Sequence, residues 1–202
     1  MDLIMILSIK FNMNVYKLFP TTVIEFDLRG YPNKDKLIDY INLSPQKNHK
    51  AVFKGKSSYG CKDILLDPQF NLLKNKIQNY IDTYTNYLKI QKCYISDSWF
   101  NIMGKDSFVK KHNHEYSIVS GAYYPLLESN TCNLIFTTPL YSSVNFHSIQ
   151  DNENHHKTFQ MPIKQDYLYL FPGWLDHETE VNKGGKRIVL SFNTLFTPNM
   201  DF

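Results

Sequence analysis

From Tyr94 onward the chain is a succession of short β-prone runs separated by turn residues: 94 to 102, 116 to 126, 132 to 137, 157 to 161, 166 to 171 and 187 to 196. No helical periodicity interrupts them. About six strands at this spacing, with nothing between them long enough to be a crossover helix, point to an antiparallel sandwich or barrel.

The region before Tyr94 reads as support for that core. Thr22 to Asp27 alternates like a strand, and a short helix is expected from about Asn33 to Leu43 with Leu37, Ile38 and Ile41 on one face. Lys47 to Lys62 is rich in Lys, Gly and Ser and reads as a mobile loop. The clearest helix opens at Asp67-Pro68, an N-cap residue followed by proline at the first helical position. Its apolar residues Phe70, Leu73, Ile77, Ile81, Tyr84 and Leu88 recur at spacings of three and four, so one stripe packs on a sheet. The apolar segment from Leu3 to Ile9 is too short to span a bilayer and has no basic residue before it, so it reads as an edge strand or a frayed start. Met13 is an alternative initiator. The polar stretch from Tyr141 to His156 is long for a compact fold, which suggests an active-site lid or a disordered segment.

With 202 residues and 14 Tyr plus 14 Phe, the chain can bury one full core, and a single domain over 1–202 is expected. The net charge of +3 and the scattered lysines are too weak to argue nucleic-acid binding on electrostatics alone, and no segment calls for a membrane. Cys61, Cys93 and Cys132 are odd in number and widely spaced, so neither a disulfide framework nor a zinc ribbon is indicated and a reducing cytoplasm is expected. An apolar edge strand such as 3–9 is compatible with a homodimer.

Two groups of residues carry chemistry. His112-Asn-His114 sets two imidazoles on the same face of an extended segment, and His177, after the apolar Tyr167–Pro172, can bring a third alongside. Histidines in a polar loop are usually solvated, which is the reading for His147, His155 and His156; the order His112, His114, His177, Arg187 sets the first three apart. Asp176 would point away from His177 in a strand and is a poor ligand candidate. Arg187 is one of two arginines among 22 basic residues, so its planar guanidinium is expected to grip a carboxylate. Ser191 lies on the same strand face, with Asn193 continuing the row. The competing role for Arg187 is a surface pair with Glu178 or Glu180.

The run Ser98-Trp-Phe-Asn101, His112-Asn-His114, Ser120 to Tyr124, Leu170 to Leu175, His177 and Arg187 to Asn193 resembles the 2-oxoglutarate- and Fe(II)-dependent oxygenases common in marine bacteria and their phages, a prolyl-hydroxylase-like superfamily. The likeness covers about 94–196, with a weaker echo at Leu18 to Thr22. It implies a mainly β fold, a double-stranded β-helix or jelly-roll over 94–196, with residues 1–93 supplying N-terminal strands and buttressing helices. It also implies metal ligation by His112 and His177 and binding of the distal carboxylate of 2-oxoglutarate by Arg187 with Ser191. Asn101 and Tyr124 are further cosubstrate candidates, although a bulge would hand the place of Tyr124 to Tyr123. The superfamily has Asp or Glu where this chain has His114. Either iron is held by three histidines, or His114 stands behind the ligands.

The implied cofactors are Fe(II) and 2-oxoglutarate, with ascorbate as a candidate reductant, and O2 as the oxidant. No catalytic side chain beyond the metal ligands is indicated. The implied activity is hydroxylation of a peptide or protein side chain or of a small molecule, in the cytoplasm, or the host cytoplasm if phage-encoded. Two rivals remain: a three-histidine dioxygenase without 2-oxoglutarate, for which Arg187 would point away from the metal, and a non-catalytic jelly-roll module whose histidines splay apart or bond to backbone. Trp99 and Trp174 are expected in the core.

Overall fold

The computed structural model describes residues 20–139 and 157–198. Among them the order is β1 (Ile24–Asp27), α1 (Lys34–Leu43), β2 (Lys47–His49), β3 (Val52–Ser57), α2 (Asn71–Leu88), β4 (Cys93–Val109), β5 (Val119–Leu127), β6 (Leu134–Thr137), β7 (Thr158–Met161), β8 (Tyr167–Pro172), β9 (His177–Thr179) and β10 (Arg187–Phe196). The strands form a seven-stranded sheet in the order β1-β8-β5-β10-β4-β3-β2 and a three-stranded sheet in the order β7-β6-β9. Every pairing is antiparallel. This is a mainly β jelly-roll with helices on one side.

Strand alternation divides the core in two. On one face of the large sheet Phe100, Tyr123, Leu168, Leu170, Ile188, Leu190 and Phe192 meet Leu37 and Ile41 of α1 and Leu73, Ile77, Ile81 and Tyr84 of α2. Each of these fully buried side chains contributes about 1.5–3 kcal/mol of apolar burial. On the other face Ala122, Tyr124, Tyr169, Phe171 and Val189 meet Leu134 and Phe136 of the small sheet. The space between the sheets therefore receives every second residue of β4, β5 and β10, the set that includes Asn101, Tyr124 and Arg187.

The long helix begins as expected: the Asp67 side chain accepts a hydrogen bond from the Gln69 N–H, and Pro68 opens a 3-10 turn that leads into α2. The segment expected as a mobile loop is instead the β2–β3 hairpin, which extends the large sheet beyond β4. The N-terminal strands thus form both margins of one sheet. β4 runs to Val109, well past the expected end, with a left-handed residue at Asp106 and a register shift against β3 absorbing its polar stretch. The expectations for residues 3–9, Met13 and 141–156 lie outside the described residues. No described helix is long and apolar enough to cross a membrane.

One close approach sets the site's entrance. A methyl carbon at Gly173 would lie 2.1 Å from the Ser117 carbonyl oxygen, and the Gly173 carbonyl accepts the His114 N–H at 2.8 Å. Gly173→Ala should therefore destabilise the fold by about 1–3 kcal/mol, whereas Gly104→Ala, where nothing stands within 4 Å, should be near neutral. Urea denaturation of the two variants reads the difference.

Candidate functional site

His112-Asn-His114 does not lie in a regular strand as the spacing suggested. It occupies the connection between β4 and β5, tied to β9 by a single bridge in which His112 and His177 exchange backbone hydrogen bonds of 3.0 and 2.8 Å. The consequence is convergence: ligand nitrogens of His112, His114 and His177 lie within 4.8 Å of one another, with ring centroids 4.4–5.1 Å apart. One ion can be held among them. His147, His155 and His156 lie outside the described residues.

Two of the three imidazoles have a fixed tautomer. The Lys110 carbonyl lies 2.7 Å from Nδ1 of His112, and the Leu175 carbonyl 2.8 Å from Nδ1 of His177. A carbonyl only accepts, so each Nδ1 carries the proton and each Nε2 presents its lone pair. Backbone bonds of this kind were a feature anticipated for a non-catalytic module, but here they aim the rings at one another. His114 leans on Trp99 at 5.5 Å between centroids. Burial, reinforced by the neighbouring imidazoles, pushes His177 down to about 3 and His114 to about 4. Burial also lowers His112, against the opposing pull of the Lys110 carbonyl and Asp176. All three are neutral at physiological pH, the form that binds metal. The Asp176 carboxylate stands apart, accepting from Asn113 at 2.8 Å with Lys111 at 3.9 Å.

Arg187 is 1% exposed and faces the space between the sheets. One Nη donates to the Cys132 carbonyl at 2.8 Å and touches its sulfur, and the guanidinium carbon lies 5.2 Å from the Tyr124 ring centroid. Its Nε has no partner, and among the described residues no Asp or Glu pairs with it, Glu178 and Glu180 included. A buried cation without a counter-charge is costly, and an anion reaching it would offset that cost. Tyr124 shares this face, whereas Tyr123 packs on the helix side. Asn101 is also buried on this face, opposite Val189, with an unpartnered side-chain oxygen. Of the two, only the unpaired Arg187 N–H is a donor that an acid could satisfy; the Asn101 oxygen is an acceptor.

Ser191 needs a correction. It lies four residues from Arg187 on β10, about 13 Å away at strand rise, too far for both to grip one carboxylate. It stands opposite Trp99 and Ala122, level with His114. Trp174 is also corrected: it is 49% exposed, while Trp99 is buried against His114 and Tyr59. Sequence reasoning passed over Cys132, Tyr59 and Asp97; only Asp97 stood next to a motif, the Ser98–Asn101 run.

With this geometry established, comparisons give it a class. Residues 97–193, just under half of the chain, match the family described as "Putative 2OG-Fe(II) oxygenase". A search of curated protein sequences gives no match. Among solved structures, HygX from Streptomyces hygroscopicus, with nickel, 2-oxoglutarate and hygromycin B bound, has a TM-score of 0.62 at 11% identity, covering 89% of this chain and 84% of its own. A prolyl-4-hydroxylase from Pseudomonas putida gives 0.59 at 11%, covering 88% and 94%. A prolyl hydroxylase from Trichoplax adhaerens, in complex with a hypoxia inducible factor peptide fragment, gives 0.54 at 12%, covering 85% and 82%. At such identities these neighbours speak for the fold. Over residues 97–193 the chain is similar to the 2-oxoglutarate- and Fe(II)-dependent oxygenases, and the neighbours share its fold.

The depressed histidines give a pH signature. Unfolded, they protonate near pH 6.5; folded, they stay neutral to about 4 or below. Below about pH 6.5 the unfolded chain therefore binds protons that the folded chain refuses, and stability falls as pH falls. For the metal-free protein the loss at pH 5 should be about 2 kcal/mol from His177 alone. His177→Phe, which suits a pocket shared with Phe136 and Phe171, should flatten the profile in denaturant titrations at pH 7 and 5.

Proposed function

We propose that Fe(II) is held by His112, His114 and His177, that 2-oxoglutarate extends from the metal toward Arg187, and that the enzyme hydroxylates a peptide or protein side chain or a small molecule. The observation that carries this reading is the buried, unpaired guanidinium of Arg187. A three-histidine dioxygenase without an acidic cosubstrate has no use for it.

Iron and 2-oxoglutarate supply the oxidising chemistry when bound: the keto acid is cleaved to succinate and CO2, and the two atoms of O2 end in succinate and in a C–H bond of the substrate. The side chains have simpler tasks. Arg187 receives the distal carboxylate, with Tyr124 bordering the same pocket, and Asn101 offers its amide to the acid part-way along. Val189, Leu134 and Phe136 exclude water, which strengthens each charge-assisted contact. An imidazole at His114 in place of a carboxylate leaves the centre one unit more positive and so favours a dianionic cosubstrate. Neighbours of the same fold have been solved with a peptide fragment and with hygromycin B, in keeping with a peptide or small-molecule substrate.

Anaerobic titration with Fe(II) and then 2-oxoglutarate should give the visible charge-transfer band of the chelate. In Arg187→Ala the half-saturating 2-oxoglutarate should rise about 100-fold, as expected when a buried charge pair loses one member. Iron binding without the band would favour the three-histidine dioxygenase, and loss of all iron binding would reject the metal centre.

A further inference from the structure

A cleft of about 690 Å3 opens at the histidines, lined by His112 and His114 together with Tyr59, Asp97, Glu115, Tyr116 and Asn193. It lies on the far side of the metal position from Arg187. Asn193 pairs with Asp97 and Ser120, six residues or about 20 Å along β10 from Arg187 at strand rise, and Ser191 and Trp99 mark the level of His114 between them. With the cosubstrate at the Arg187 end, this cleft is where a substrate meets the metal.

Its charge is opposite to that of the protein. The chain as a whole is +3, yet among the described residues the only charged side chains lining the cleft are two carboxylates. Lysines gather elsewhere, in a separate groove of the β2–β3 hairpin lined by Lys50, Lys54, Lys56 and Lys110 without any carboxylate. Asp97 is held in place by neutral donors, Ser96 at 2.8 Å and Asn193 at 3.2 Å, and among the described residues neither Asp97 nor Glu115 has a cationic partner. Two tyrosines border the same space: Tyr59 is 45% exposed and Tyr116 is 87% exposed, a large apolar ring left in solvent beside the opening. Carboxylates flanked by open aromatic faces form a cation-selective environment, through charge-assisted hydrogen bonds and through the negative faces of the rings.

We propose that the substrate is cationic: it presents an ammonium group, from a lysyl side chain or an amine-bearing small molecule, to Asp97 and Glu115, and so brings a neighbouring C–H bond to the metal. This rests on the oxygenase reading given above and supplies its substrate class. The two carboxylates select charge, and Tyr59 and Tyr116 cover the methylene stem behind it.

The test is isothermal titration of the Fe(II)- and 2-oxoglutarate-loaded protein, without oxygen, against four probes: acetyl-Gly-Lys-Gly-amide, its norleucine and glutamate counterparts, and cadaverine. At least one amine probe should bind about tenfold or more tighter than the norleucine peptide, a difference in keeping with one or two charge-assisted contacts. The lysyl peptide binding best would assign a polypeptide source for the amine, and cadaverine a small molecule. Asp97→Asn with Glu115→Gln should erase the preference, while Asp35→Asn on α1 keeps it; circular dichroism verifies that each variant is folded. Equal or tighter binding of the norleucine or glutamate peptide, a preference surviving in the double variant, or no binding of either amine at millimolar concentration would overturn the proposal. Calorimetry reads amine binding whether or not the charge-transfer band forms, so a missing band counts against the 2-oxoglutarate reading alone.

Discussion

Two backbone hydrogen bonds between His112 and His177 hold the site together. They fasten a connection without regular structure to the short strand β9, which is itself paired to β6 of the small sheet. Through them the imidazoles of the β4–β5 connection and of the opposite sheet reach a common point. The same contact carries the carbonyl bonds that fix both tautomers, since Lys110 and Leu175 lie just outside the bridge. Metal ligation needs atoms placed to a few tenths of an ångström, and here main-chain geometry does the placing.

The second constraint is electrostatic. Within a shell of Val189, Leu134, Phe136 and Phe171 the protein buries the guanidinium of Arg187 and the imidazole of His177, with His112 and His114 half-buried beside it and all three rings disfavouring protonation. Neither is favourable in an empty apolar space. Under the proposed reading, a divalent cation on the nitrogens and a dianion between cation and guanidinium would offset both costs, as is common where polar groups are kept apart for function.

Much of this was legible in the chain. The alternation of β10 and the stripe of α2 had a single sensible burial pattern, so the inward face of Arg187 and the outer cover of helices could be read directly. The three histidines and the arginine stood out by residue type and order. What escaped was set by tertiary context. The lysines and glycine of Lys47–Ser57 gave no strand signal because that hairpin sits at the sheet margin, where β4 supplies the pairing that the local sequence does not advertise. Ser191 was placed on the correct face, but shared face was mistaken for shared contact; rise along the strand separates it from Arg187. Trp174 looked like core because of its size alone, and the turn after β8 turns it outward.

β10 occupies the middle of the large sheet, paired on both sides, and its inward row runs from Arg187 to Asn193. It therefore acts as a ruler whose divisions are peptide units. Inserting or deleting one residue between the two ends would rotate everything beyond it to the helix-packed face, sending a guanidinium or an amide into an apolar layer. Substitution can remodel either end of this strand independently, but a change in its length cannot be absorbed within the row. The two register shifts present, at Ile188/Leu190 against β5 and at Asn193/Thr194 against β4, fall where the neighbouring strand gives way and the spacing of the inward residues on β10 is kept. In such a molecule new specificities arise by exchanging side chains at fixed marks, and the turns outside the strand are left to vary in length.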